Sequence, residues 1–227
     1  DNLRRELVDI GLGEKGRIIF GLPTERAGYM LPRVIPLYKK MFPQVAVQIY
    51  EAMSDDLLSA LLKDEINFYI IPRDLKDLPS GLQTECIYRE NLYLIAAPGV
   101  VKEEDLADPI HNIVRDAFLR SQPFIPIKKG HAIRKKTDEI FRKKKISPMV
   151  SMEVSSCISA VQLAHSGLGI TIVPSRALEA LGGIDCFCRY QYGEIPDAWD
   201  VNVVYKKDSY LDRTERGFIE LLKSVFP

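Results

Sequence analysis

Long apolar runs, a charge excess of either sign, paired cysteines and clustered histidines are all missing from this sequence, and each absence removes a class of protein. No stretch approaches the roughly 20 apolar residues of a membrane-spanning helix. The segment from Asp1 to Ile10 lacks the basic-then-apolar order of a secretory signal, so a cytoplasmic location without membrane contact is the default expectation. Lys plus Arg and Asp plus Glu both total 31, and no overall field draws the chain to nucleic acid. If DNA is involved, another segment is expected to touch it. Cys86, Cys157, Cys186 and Cys188 form no CxxC pair, and His111, His131 and His165 stand at no metal-ligand spacing. The thiols are expected to pack as small apolar side chains; Cys186 and Cys188, two apart, would share one face of a strand. There is neither a P-loop nor a G-x-S-x-G elbow, and Gly167-Leu168-Gly169 lacks dinucleotide-fingerprint spacing. No metal, no cofactor and no enzyme chemistry are expected.

What is present is an ordinary globular composition, 46% hydrophobic and 27% charged over 227 residues, enough for one large domain or two small ones. Its main feature is a phrase written twice at a fixed offset, Glu51 to Pro72 and Glu153 to Pro174 (153 − 51 = 174 − 72 = 102). Each copy opens with an acid closing an apolar strand, reaches a serine (Ser54, Ser156), runs through a helical stretch and ends in an apolar strand stopped by proline. Two similar α/β lobes are therefore expected to face each other across a cleft. Open α/β sheets bind ligands at the carboxyl ends of their strands, beside helix N-termini.

The first half reads β-α-β-α-β: a strand at Arg17 to Leu22, a helix from Tyr29 to Met41 with Pro32 near its first turn, a strand at Val45 to Tyr50, a helix to Asp64, and a strand at Ile66 to Ile71. The second half repeats the order: Pro123 to Ile127, a helix from about His131 to Lys145, Met149 to Val154, a helix from Ser156 to His165, and Gly169 to Val173. Strands alternating with helices imply parallel pairing. Leu92 to Ala97 and Trp199 to Tyr205 are further strands, and Asp212 to Phe226 is a closing amphipathic helix. Crossings between lobes are expected at Ala96 to Gly99 and Tyr192 to Pro196, where Gly and Pro adjoin apolar strands. Lobe I is then 16–97 plus 198–227, and lobe II, 98–197, is an insertion in it. Seven of the twelve residues from Arg134 to Lys145 are basic, and a buried stripe of Ile133, Thr137, Ile140 and Phe141 would leave them on a solvated face.

Thr24 with Glu25, Ser54, and Ser156 with Ser155 each stand between a strand end and a helix start, where hydroxyls and unpaired N–H groups suit a carboxylate, sulfate or phosphate. Helix capping alone would also explain any one of them. Arg73 follows the third strand and could pair bidentately with a ligand acid, which places that acid against the first lobe. Ile125 and Ile127, around Pro126, would supply apolar contact from the second lobe or belong to its core.

The ordered set Gly16-x-Ile18-x-Phe20-Gly21, Leu31-Pro32-x-x-Ile35, Phe42-Pro43-x-Val45-x-Val47, Ser54-x-x-Leu57-x-x-x-Leu61, Pro123-Phe124-Ile125, Gly130-x-x-x-Arg134 and Ala164-x-Ser166-Gly167-Leu168-Gly169-Ile170-x-Ile172-x-Pro174 resembles the effector-binding domain of LysR-type transcriptional regulators. The resemblance implies an α/β fold of two Rossmann-like lobes, type 2 periplasmic-binding-protein-like, joined by two crossover strands. It also implies an interlobe pocket for a small anionic or zwitterionic effector at Thr24, Glu25, Ser54, Arg73, Ile125 to Ile127, Ser155 and Ser156. A homodimer or tetramer is implied too, as is DNA contact only through an N-terminal winged helix-turn-helix, whose linker helix would leave 1–15 as a remnant. Two departures stand out. Asn67 sits where the family usually has Asp, and Gly130-His131 is followed by Ala132 rather than the cysteine of peroxide-sensing relatives, so a disulfide peroxide switch is not expected. An extracytoplasmic solute-binding protein would use the same fold and is the alternative expectation.

Overall fold

A computed structural model of the protein describes residues 16–72, 78–193 and 198–226. The expected linker remnant, Arg73 and part of the second expected crossing lie outside the described residues. The chain divides into two compact units, residues 16–89 with 200–226 and residues 90–199.

In the first unit β1 (Gly16–Leu22) lies between two parallel partners. β2 (Val45–Glu51) pairs with it from Gly16↔Val45 to Leu22↔Glu51, and β3 (Phe68–Pro72) pairs on the other side at Phe20↔Phe68. Being covered on both faces is why β1 and β3 read as continuous apolar runs rather than alternating ones. The expectation of parallel pairing fails at the next neighbour. Residues of β11 (Ala198–Lys206) run antiparallel to β3, because this strand arrives without a crossover helix of its own. The core is aromatic: Phe20 stacks on Phe68 with ring centres 5.4 Å apart, and Phe218 meets Phe20 at 4.6 Å and Tyr38 edge-on at 5.1 Å. Burial pushes the Tyr38 phenol well above its ordinary pKa, and its hydroxyl donates to the Thr214 carbonyl.

Helix α1 (Thr24–Met41) starts earlier than the expected Tyr29, so Pro32 lies in its interior with Pro36 rather than in its first turn. Each interior proline removes one backbone hydrogen bond at a cost of about 3 kcal/mol. The buried face of Met30, Val34 and Tyr38 offsets it. Helix α2 (Ser54–Leu62) packs over β1 at Gly21, where an added Cβ would sit 2.5 Å from Leu57 Cδ2.

β4 (Leu82–Ile95) is far longer than the expected Leu92 to Ala97. Charged side chains hid its beginning, and Glu85 has a definite use there. The Glu85 carboxylate accepts from Tyr205 Oη (2.6 Å), Lys223 Nζ (3.0 Å) and Arg216, tying β4 to the closing helix. That helix spans Arg213–Val225 and is capped by Asp212, which accepts from Thr214 N and Glu215 N.

The second unit repeats the first. β7 (Pro123–Phe124) pairs in parallel with β8 (Met149–Val150) and, through Phe124↔Ile170, with the residue before β9 (Thr171–Pro174). β9 then runs antiparallel to β4, as β3 does to β11, and β10 (Arg189–Tyr190) also runs antiparallel to β4. Within this unit Glu90, at 1% exposure, accepts from Arg176 N and Trp199 Nε1. A hairpin of β5 (Leu106–Asp108) and β6 (Ile113–Val114), helix α3 (Asp116–Ser121) and helix α6 (Ser175–Glu179) are additions the periodicity did not reveal. Helix α4 (Ala132–Lys143) buries Ile133, Thr137, Ile140 and Phe141 as expected. Helix α5 (Cys157–His165) ends in a Schellman motif, Gly167 N to Ala164 O and Leu168 N to Leu163 O, with Gly167 at φ +85°.

Two cysteine expectations need correction. Only Cys157 is buried; Cys86 and Cys186 are exposed. Cys186 and Cys188 do not share a strand, because Gly182 and Gly183, both at positive φ, turn the chain into a 3-10 segment at Ile184–Cys186.

Two tests follow from this packing. Gly169 has φ +149°, and a Cβ there would lie 2.4 Å from the Pro123 carbonyl oxygen, so Gly169→Ala should cost about 2–4 kcal/mol in urea unfolding. Gly21→Ala, whose tight contacts are with flexible side-chain ends while the Tyr50 carbonyl stays at an ordinary 3.4 Å, should cost less; the reverse order would refute this packing account.

The second test concerns Glu85. Desolvation raises its pKa, but the hydrogen bonds from Tyr205, Lys223 and Arg216 outweigh it and carry the carboxyl from 4.5 down to about 2. A depressed carboxylate pKa contributes stability above the unfolded value and loses it as pH falls through the folded one. Glu85→Gln should therefore lower stability by about 1–2 kcal/mol at pH 7, allowing for solvent screening. The gap should narrow from about pH 4.5 and close near pH 2, as read by melting at each pH.

Candidate functional site

The pairing of β1 with β2 ends both strands at one edge of the first unit, and each runs straight into a helix. Leu22 lies opposite Glu51, and Ala52 N donates to Leu22 O (3.3 Å). Thr24 and Ser54 therefore open α1 and α2 side by side. Neither caps its helix, contrary to expectation. Pro23 (ψ 139°) and Met53 (ψ 163°) supply the extended backbone of the cap position, and neither makes a side-chain cap hydrogen bond. Thr24 and Ser54 are already helical, so their hydroxyls are not committed to capping. The same turns carry acids: Glu25 on α1, Asp55 and Asp56 on α2. These carboxylates complement the positive helix ends. They also disfavour a second anion there.

In the second unit three segments converge. β7 leads into Ile125, Pro126 and Ile127, β8 into Val154, Ser155 and Ser156, and the two join through Val154 N to Pro126 O (3.2 Å) and Lys128 N to Val154 O (2.8 Å). Ile125 and Ile127 are 0% and 3% exposed and belong to this unit's core, the second of the two roles the sequence left open for them. Pro126 is buried with them. The third segment is the start of α4. Arg134 Nη1 donates to Ile127 O (3.0 Å) and Glu153 Oε2 (2.6 Å), while Nε bonds Asp138 (2.8 Å). Burial works against the guanidinium charge, but its hydrogen bonds to Glu153 and Asp138 carry its pKa above the ordinary value. Arg134 thus clamps the ends of β7 and β8 together. Its place in Gly130-x-x-x-Arg134 was visible in the sequence; its clamping role was not, because Glu153 lies on a different strand end, beyond the whole of α4.

Ser156 is the true cap of its helix. Its Oγ accepts from Ile158 N at 3.2 Å, and no acid stands in the first turn of α5. Ser155 beside it is exposed. The two copies of the repeated phrase thus differ chemically: Ser54 opens an acidic, uncapped helix, and Ser156 caps one without first-turn charge. Among the described residues no group of three or more His, Cys, Asp or Glu is arranged to hold a metal, and no helix is long and apolar enough to cross a membrane.

The sequence profile described as LysR substrate binding domain matches residues 11–227, and the chain belongs to that family. Among curated proteins it is similar to a probable RuBisCO transcriptional regulator of Phaeodactylum tricornutum, 27% identical over 226 residues covering 97% of this chain and 71% of the relative. It is also similar to the HTH-type transcriptional regulator CzcR of Bacillus subtilis, 23% identical over 91% of this chain and 66% of the relative. The chain spans 57% of another such relative, from Trieres chinensis. These relatives are described as transcriptional regulators. Among solved structures, a reduced form of OxyR from N. meningitidis superposes with TM-score 0.75 at 18% identity, covering 93% of this chain and 96% of that one. The C-terminal domain of a probable LysR family regulator from Rhodococcus sp. RHA1 gives TM-score 0.74 at 18% identity, over 92% and 98%. These likenesses establish the type 2 periplasmic-binding-protein-like α/β fold.

The two serines allow a direct comparison. Ser156→Ala removes a cap and should destabilise by about 1 kcal/mol, whereas Ser54→Ala removes none and should stay within about 0.5 kcal/mol of the parent. Equal losses in chemical denaturation would show that the difference in capping has no energetic consequence.

Proposed function

We propose that this chain is the effector-sensing part of a LysR-type transcriptional regulator, and that its effector is a small zwitterionic metabolite. The observation that carries the charge assignment is the contrast between helix starts. Glu25, Asp55 and Asp56 occupy the first turns of α1 and α2, and no acid occupies that of α5. Negative first turns suit an ammonium group, and an acid-free helix start suits a carboxylate. Arg73, directly after β3, is a second candidate partner for the effector's acid. Thr24, Ser54 and Ser155 would add hydrogen bonds, and Ile125 to Ile127 would contribute mainly backbone, since their side chains belong to the core.

In this reading the regulator works as a homodimer or tetramer in the cytoplasm and contacts DNA through a separate N-terminal domain. The effector shifts the geometry in which those domains are presented, to the extent that it binds one arrangement more tightly than the other. A solute-binding protein of a transporter is not favoured, because the curated relatives are transcription regulators.

A thermal-shift screen of amino acids and small carboxylates tests the proposal. A ligand at about a hundred times its Kd stabilises by about 2.7 kcal/mol, or roughly 5–10 °C for a chain of this size. Ser54→Ala, Arg73→Ala and Ser156→Ala should each reduce that shift. A hit that all three variants leave unchanged overturns the site assignment, and hits confined to uncharged compounds overturn the zwitterion.

A further inference from the structure

The equal totals of 31 basic and 31 acidic residues conceal a strong local imbalance. Residues 128–145 hold nine Lys or Arg against two acids, Asp138 and Glu139. The rest of the second unit has the opposite sign, with five basic residues against eleven acids over 90–127 and 146–199. Apart from the Arg134 clamp, nothing in the effector reading uses this charge.

Packing fixes where the cations of α4 point. The stripe of Ile133, Thr137, Ile140 and Phe141 is turned into the core, so Lys135 and Arg142, seven residues apart, stand on the opposite face. Both are exposed, as are Lys128, Lys129, Lys143 and Lys145. Three cations of the segment are committed to ion pairs: Arg134 with Glu153 and Asp138, Lys143 with Glu139, and Lys144 with Asp116. Both acids of the segment are thereby engaged. The Lys143 hydrogen bond holds the Glu139 carboxyl below its ordinary pKa against some burial, and the charges of Lys136 and Arg142 act in the same direction. Among the described residues the side chains of Lys128, Lys129, Lys136, Arg142 and Lys145 make no hydrogen bond or ion pair.

Helix stability does not call for this arrangement. Cations favour the last turn of a helix, which accounts for Arg142 and Lys143, but they oppose the positive field of the first turns. α4 has no acid in its first turn and carries Arg134, Lys135 and Lys136 as its third to fifth residues. Lys145 is a second sign. α4 ends in the same Schellman motif as α5, with Lys145 N donating to Arg142 O and Ile146 N to Phe141 O. The left-handed position that Gly167 fills after α5 is held here by Lys145 at φ +52°, where a side chain is strained and glycine is not. A cation is kept where glycine would fit more easily.

The chemistry of this face selects its partner. The unpaired cations are four lysines and one arginine, flexible point charges more than a row of bidentate forks, which suits phosphate oxygens better than carboxylate recognition. No Phe, Tyr or Trp is exposed between Lys128 and Lys145, so the bases of a single strand find no stacking platform. The apolar side of α4 lies in the core, which leaves nothing to insert into a bilayer or a partner's groove. The 12 residues of α4 span about 18 Å. Duplex DNA carries one negative charge per roughly 1.7 Å of its axis, so several phosphates fall within reach of such a row.

We propose that the outer face of α4, with Lys128 and Lys129 before it and Lys145 after it, is a contact surface for the phosphate backbone of double-stranded DNA, held by charge and not by base sequence. It adds a contact within the second unit to the DNA binding ascribed above to a separate N-terminal domain. It rests on the charge pattern and not on the effector reading.

The test is fluorescence anisotropy of a labelled duplex of about 30 base pairs and arbitrary sequence, titrated with the 227-residue chain at several salt concentrations. The expected Kd is below about 100 μM at 50 mM salt, weakening about a hundredfold by 200 mM if four phosphates are neutralised. Lys129→Gln and Arg142→Gln should each reduce the slope of log K against log salt by about 0.9, and the double variant should bind about tenfold more weakly. Lys145→Gly should also weaken binding, yet melt no lower than the parent, because it removes the cation and relieves the left-handed residue. That pairing of effects separates charge from folding. Lys207→Gln, exposed on the first unit, should leave affinity and slope unchanged. The proposal is overturned if the duplex fails to bind at 50 mM salt, if the double variant and Lys145→Gly both bind like the parent, or if Lys207→Gln weakens binding as much as they do. It is overturned as well if polyglutamate of equal charge displaces the probe at lower concentration than unlabelled duplex, which would make an acidic protein segment the partner.

Discussion

The parallel register between β1 and β2 is the constraint on which the first unit's candidate site depends. Seven residue pairs, Gly16↔Val45 to Leu22↔Glu51, bring both strands to an end at the same edge. A parallel sheet forces each strand to leave through a helix, so α1 and α2 begin next to each other with Thr24 and Ser54 in their first turns. Slipping this register by one residue would turn Ile18 and Phe20, both at 0% exposure, toward the opposite face. It would also dismantle the stacking of Phe20 on Phe68 and Phe218. The position of the site and the integrity of the core are therefore one condition.

The second unit meets the same condition with different residues. Its strand β7 is short, and the register is held by single bridges, Phe124↔Ile170 and Ile127↔Val154, and by Arg134. Where the first unit uses a long ladder, the second uses a half-buried cation that bonds one strand end and the acid beside the other. This explains how two lobes with the same topology can differ so much in strand length while presenting the same kind of strand-to-helix junction.

Much of this was legible in the sequence, for identifiable reasons. The repeated phrase exposed the duplicated strand–helix–strand unit because helix and strand periods are written in apolar side chains, and those survive in both copies. The buried stripe of α4 was readable for the same reason. Capping was not. Which residue occupies the cap depends on backbone dihedrals, and Pro23 and Met53 took positions that composition assigns to Thr24 and Ser54. The beginning of β4 was also hidden, because Glu85, Arg89 and Glu90 interrupt its apolar pattern, whereas β11 was readable at Trp199 to Tyr205. The Glu85 and Glu90 carboxylates meet partners far away in sequence, such as Tyr205 and Trp199.

The capping difference carries more than bookkeeping of helix ends. An uncapped first turn keeps its N–H groups for water or a ligand, and a capped one has already committed one of them. With Glu25, Asp55 and Asp56 beside the uncapped turns, the free donors of α1 and α2 sit in a negative field, so what they bind must bring its own positive charge or remain neutral at that end. α5 has the opposite balance: one donor is taken by Ser156, but the remaining field is positive and unopposed. The two kinds of helix start therefore prefer opposite charges: an anion gains at α5 and loses at α1 and α2. The duplicated phrase thus supplies two similar backbones, and the acids placed on only one of them give the two units opposite charge preferences.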